Sequence, residues 1–127
     1  MTKVQALFDF WSRFALHAYE ENSVPLGKKG GTPDFPYITY EVETDSFGAE
    51  VPLSASLWYR DASWTAANAK EKEISEVIGS VGVFIPCEDG AVWIKRGSPF
   101  AQRMGDDSDD MVKRIYINIT VEFWTEN

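Results

Sequence analysis

The sequence predicts a single α+β domain spanning residues 1–127, with two helices and about five mostly antiparallel strands in the order α-β-β-α-β-β-β. Three observations predict it. From Val112 to Trp124 the chain reads VKRIYINITVEFW, a period of two that puts Ile115, Ile117, Ile119, Val121 and Phe123 on one side of an extended backbone. Two other segments carry apolar residues at helical spacing, and the remaining apolar runs are short, alternating and bounded by turn residues. A chain of 127 residues buries about two-thirds of its unfolded surface without cross-links.

Taken in order, Thr2 and Gln5 form a capping-box pattern, and Val4, Leu7, Phe8, Trp11, Phe14, Ala15 and Ala18 recur behind it. A helix from Lys3 to His17 is expected, with Asp9 and Arg13 paired on its wet side. His17, the only histidine, then falls at a helix end on the surface. From Tyr19 to Pro36 the periodicity stops, and Pro25, Gly27, Gly30, Gly31, Pro33 and Pro36 mark a long loop. Its GKKGGT core lacks the spacing of a phosphate-cradling loop and follows no strand.

Two strands are expected at Tyr37 to Thr44 and Glu50 to Arg60, forming a hairpin with one apolar face. Ser63 can cap a second helix whose buried stripe is Trp64, Ala67, Ile74, Val77 and Ile78, with Lys70, Glu71, Lys72, Glu73 and Glu76 in water and Gly79 and Gly82 ending it. The run VGVFIPCEDGAVWIKR reads as a hairpin turning at Asp89 and Gly90, which faces Cys87 with Val92 and Ile85 with Ile94. Cys87 is then a small core residue, and Pro86 places its strand at a sheet edge. A second loop is expected at about 97–110, where Asp106, Asp107, Asp109 and Asp110 lack the spacing of a calcium loop. The strand Val112 to Trp124 is the centre of the sheet, because a one-residue slip would turn five apolar side chains into water.

Composition narrows the function. One cysteine forms no internal disulfide, and one histidine with one cysteine supplies neither a zinc set nor a catalytic pair. No apolar run is long enough for a bilayer, and the aspartate and arginine within the first apolar segment argue against a signal peptide, so synthesis in the cytoplasm and no membrane partner are expected. A net charge of −8 argues against specific nucleic-acid binding. No cofactor or metal is expected, and the chain does not read as an enzyme. What the pattern does supply is aromatic side chains on strand faces opposite the core. Tyr37, Trp58, Phe84, Trp93, Tyr116 and Trp124 stand there among Ser, Thr, Glu and Arg, a composition typical of interfaces. With Phe100 from the second loop, Trp58, Phe84, Trp93, Tyr116 and Trp124 are the candidate interface residues, against the alternatives that aromatics pair on a bare surface or that helices cover both faces.

The same residues carry a resemblance. The element order, with PYITYEV, LWYRDASWTAANAKEKEI, WIKRGSPFAQRM and DDMVKRIYINITVEF, resembles the tail-terminator or minor capsid-type proteins of siphophages and prophages of Gram-positive bacteria. The resemblance covers almost the whole chain and implies a subunit that closes into a ring, a hexamer, at the head-proximal end of the tail tube. There it stops tube polymerisation and docks the head, with the tail-tube protein and a head-completion protein as partners. The implied location is the virion tail, and the implied passage of DNA through the ring suits an acidic chain, since like charges repel within a Debye length of about 8 to 10 Å. A head-completion or head-tail connector protein of the same virion is the alternative, and a small hydrolase is a third reading that lacks a nucleophile and base.

Overall fold

The computed structural model describes residues 1–127. From the amino terminus the chain forms α1 (Lys3–Trp11), a 3-10 turn (Ser12–Phe14), β1 (His17–Glu20), β2 (Tyr37–Tyr40), β3 (Ala49–Arg60), α2 (Thr65–Ile78), β4 (Val83–Cys87), β5 (Gly90–Asp106) and β6 (Asp109–Thr125). One six-stranded sheet has the order β1-β2-β3-β6-β5-β4. All neighbours are antiparallel except β1 and β2. The class is α+β in a single domain, with one strand more than the sequence suggests.

Strand β6 sits between β3 and β5, and Ile115, Ile117, Ile119, Val121 and Phe123 are at most 1% exposed. Full burial of each contributes roughly 1.5 to 3 kcal/mol, which makes this strand the spine of the core. Both helices lie on that same side. α1 packs on β4, β5 and β1, and α2 packs on β3, β5 and β6. Phe10, Trp11 and Phe14 are fully buried there, Phe10 meeting the other two rings edge-on at 4.8 and 5.4 Å. No helix covers the other face.

Several boundaries differ from the sequence reading, each for a physical reason. The capping box of Thr2 and Gln5 is present, but the helix expected to reach His17 ends at Trp11. A 3-10 turn follows and Ala15 adopts φ 59, a left-handed conformation that stops the helix and lets His17 enter β1. This shorter helix presents Ala6, Leu7, Phe10 and Trp11 to the core and leaves Val4 and Phe8 46% and 51% exposed. On α2, Trp64 rather than Ser63 is the N-cap and Val77 is exposed, while Ser63 Oγ accepts from the Thr65 N–H. Lys70, expected in water, folds back to donate to the Phe14 carbonyl at 2.7 Å and so caps the end of the 3-10 turn.

The loop expected at 19–36 loses Tyr19 and Glu20 to β1, which pairs parallel with β2. A parallel connection needs about a dozen residues or more to return, which is why 21–36 is long. β2 ends at Tyr40, short of Thr44. The β4–β5 hairpin turns at Glu88 and Asp89, so Cys87 faces Gly90 and Ile85 faces Val92. That is two residues from the expected register, and an even shift keeps every side chain on its expected face. The largest correction concerns 97–110, which is a strand hairpin and not a loop. β5 runs on to Asp106, interrupted by a bulge in which Gly97, Ser98, Pro99 and Phe100 lie opposite Asn118. Asn118 Nδ2 donates to the Pro99 carbonyl at 3.0 Å, and the turn closes where Ser108 donates its N–H and hydroxyl to Asp106.

Candidate interaction surface

The uncovered face of the sheet is built by alternation. Every second residue of β3, β5 and β6 faces away from the helices, and cross-strand register then decides which side chains meet. Two aromatic clusters result, at opposite ends of the face.

One end is set by the pairing of Trp58 with both Tyr37 and Arg114. The Trp58 and Tyr37 rings stack at 6.0 Å, and Tyr19 and Phe35 extend the group at 6.2 and 5.4 Å from Tyr37. Trp58 Nε1 donates to Thr39 Oγ1 at 2.9 Å, which fixes the indole. The Arg114 guanidinium lies 4.7 Å from the Trp58 ring and 5.4 Å from that of Tyr116, a cation on an aromatic platform. Its Nε donates to Ser56 Oγ at 3.0 Å, leaving its two terminal amino groups for another acceptor. The 21–36 loop bends over this end and buries Tyr37, whose hydroxyl pKa burial raises. Between loop and platform is a cleft of about 570 Å³ lined by Val24, Pro25, Pro33, Tyr37, Trp58 and Arg114, among others.

At the other end Phe84 and Trp93 stack at 4.9 Å with their planes within 10°. Trp93 Nε1 donates to the Val81 carbonyl at 2.8 Å, and the Lys95 ammonium lies 4.5 Å from the Trp93 ring. Lys95 also bridges two carboxylates, Glu122 at 2.9 Å and Glu50 at 3.1 Å, which the register places directly opposite each other. The hydrogen bonds that Lys95 donates to Glu122 and Glu50 hold its pKa above its ordinary value, and the bond from Lys95 holds that of Glu122 below its own. Trp124 donates to Glu122 at 3.0 Å and lies over Gly48, where an added Cβ would stand 3.1 Å from the indole. Between the clusters the face is polar, with a cleft of about 300 Å³ lined by Glu41, Ser54, Asn118 and Thr120 beside the bulge.

The structure thus brings Trp58 and Tyr116 together at one end and Phe84, Trp93 and Trp124 at the other. Phe100 belongs to neither, since it is half-buried in the bulge and packs against the core. His17 is exposed on β1 and stacks on Tyr19 at 6.1 Å. No group of three or more His, Cys, Asp or Glu side chains converges as a metal site, and no helix is long and apolar enough to cross a membrane. One residue outside the sequence reading stands out: Phe47, 82% exposed with φ 58, in the turn before β3. Sequence offered no periodic signal for it, because a lone apolar residue in TDSFG looks like any turn position.

These features define a class, a two-layer α+β domain with one sheet face left open and aromatic at both ends. No family model and no curated protein matches the sequence. Among solved structures, a chain of the virion of a native gene transfer agent particle has the same fold, with a TM-score of 0.54 and 19% identity over 94% of this chain and 89% of that one.

Proposed function

We propose that this chain is a structural subunit of a phage-type virion, and that it is the tail terminator, closing as a hexameric ring on the head-proximal end of the tail tube. The observation that carries the virion role is the fold shared with a virion chain over nearly the whole length of both. The open sheet face supports an assembly role, because the half-buried Trp58 and Tyr116 with Arg114 on their faces have the composition of interface hot spots. A ring needs two different patches, and the face offers an aromatic cluster at each end. Net acidity suits a lumen that passes DNA without holding it.

The test is to delete the gene from its phage and inspect the particles. A terminator occupies the growing end of a polymer, so its loss gives tails of abnormal length that join no heads. Tails of normal length beside separate heads would sink the terminator reading and assign the chain to the head side, as a head-completion or connector protein.

A further inference from the structure

The geometry points to a specific head-to-tail contact between copies of this chain: Phe47 of one copy enters the cleft over Trp58 and Arg114 of the next, with Asp45 against the Arg114 guanidinium. This gives the Trp58 cluster its counterpart on the neighbouring copy, the Phe47 turn, and rests on the proposed ring only for the closure of the assembly.

The projecting half is built to stay put. A bulky residue at positive φ is rare, and it persists only where the surroundings hold it. Here the Phe47 N–H donates to the Thr125 carbonyl at 2.8 Å and the Gly48 N–H to the Phe123 carbonyl at 2.7 Å, clamping the turn onto the end of β6. The ring is therefore held out in water by a rigid backbone. Beside it the Asp45 carboxylate accepts only from the neighbouring Ser46 N–H, and Glu43 is exposed.

The receiving half has complementary chemistry. Its floor is the Trp58–Tyr37 stack, its wall is Val24, Pro25 and Pro33, and its volume of about 570 Å³ admits an aromatic side chain. Arg114 is in no ion pair within the chain, although the chain carries 20 Asp and Glu against 12 Lys and Arg. A carboxylate arriving with an aromatic ring satisfies both features, and the Asp45–Phe47 turn supplies that pair.

Placement makes the contact intermolecular. Ala49 pairs with Phe123 at one end of the β3–β6 ladder and Trp58 pairs with Arg114 towards the other. The extended run from Ala49 to Trp58 spans roughly 30 Å at ~3.3 Å per residue, so a copy cannot fill its own cleft.

Sedimentation velocity on the full chain over a concentration series tests this. The wild type should self-associate, and Phe47→Ser should weaken association by at least about 30-fold with an unchanged melting temperature, as loss of an aromatic anchor does. Arg114→Gln should weaken it similarly. Thr32→Trp, which fills the cleft from an exposed loop position, serves as a second cleft variant that does not depend on the Arg114 platform. The decisive arm is a mixture: Phe47→Ser keeps a working cleft and Thr32→Trp keeps a working Phe47, so together they should form a one-to-one complex although neither self-associates. Wild type that stays monomeric at about 1 mM, where even weak contacts form, unimpaired association of Phe47→Ser, or a mixture that does not associate would each overturn the contact. Wild type that associates through Phe47 but stops at two copies would keep the contact and sink the ring.

Discussion

At the scale of single residues, the face opposite the core is held by a cation placed between like charges. Glu50 and Glu122 oppose each other across β3 and β6, and Lys95 on β5 bonds both. The depressed Glu122 contributes stability that is present above the unfolded glutamate value, near 4.5, and lost as pH falls through the native one. The raised Lys95 contributes stability present below the unfolded lysine value, near 10.5, and lost as pH rises through the native one. Lys95→Met should lower the melting temperature at neutral pH and flatten the loss of stability on acidification below pH 4.5; melts across pH measure it. Adjacent residues of β6 should behave in opposite ways. Ile117→Asp buries an unpaired charge among apolar neighbours and should prevent folding, whereas Tyr116→Ser should cost about 1 kcal/mol, since only cross-strand and cation contacts are lost. Equal losses in thermal melts would contradict the assignment of faces.

At the scale of elements, the β5–β6 hairpin is where the structure departs furthest from the sequence reading. Those amides of Ala101 to Gly105 that point towards β6 should exchange more slowly than those of 21–36 in the free protein, because the first group bonds β6 and the second lies in a loop. Hydrogen exchange reads both at once. Gly90→Ala tests the other end of the same strand, where φ is 143 and a Cβ would collide with the Trp124 carbonyl. It should destabilise by about 1–3 kcal/mol in chemical denaturation. Legibility follows the same logic. β6 and the parity of the β4–β5 hairpin were readable because burial of one face imposes a period of two, and parity survives a slip of two residues. The end of α1 was not, since Ala15 carries no glycine-like mark of a left-handed turn. β1 is four residues long and finds its partner across 21–36, leaving no local pattern. Gly97, Ser98 and Pro99 looked like loop residues because a bulge uses the same chemistry as a turn. Of the interface candidates, the alternating ones were legible as a face, while their grouping at two ends depends on register between distant strands.

At the scale of the whole molecule, the layers are unequal. One face of the sheet is closed by α1 and α2 and the other is bare, so assembly should change only one side. Hydroxyl-radical footprinting of free and assembled protein should show Trp58, Trp93 and Tyr116 losing reactivity while the exposed Phe8 on α1 keeps its own. Unchanged reactivity at all three would mean that the open face is not where copies or partners meet.

The bare face also governs how far such a sequence can drift. In a sheet covered on both sides nearly every strand position is fixed by packing. Here Ser54 and Thr120 answer to no helix, and substitution at such sites typically changes stability by no more than about 0.5 kcal/mol. Alternate residues of the longest strands are thus free to follow whatever partner a lineage acquires, while Leu53, Ile117 and Ile119 opposite them are not. Two chains of this architecture can share a fold end to end with 19% of their residues in common. In a chain built this way the fold asks for the alternation of the strands and leaves open which residues stand on the bare side.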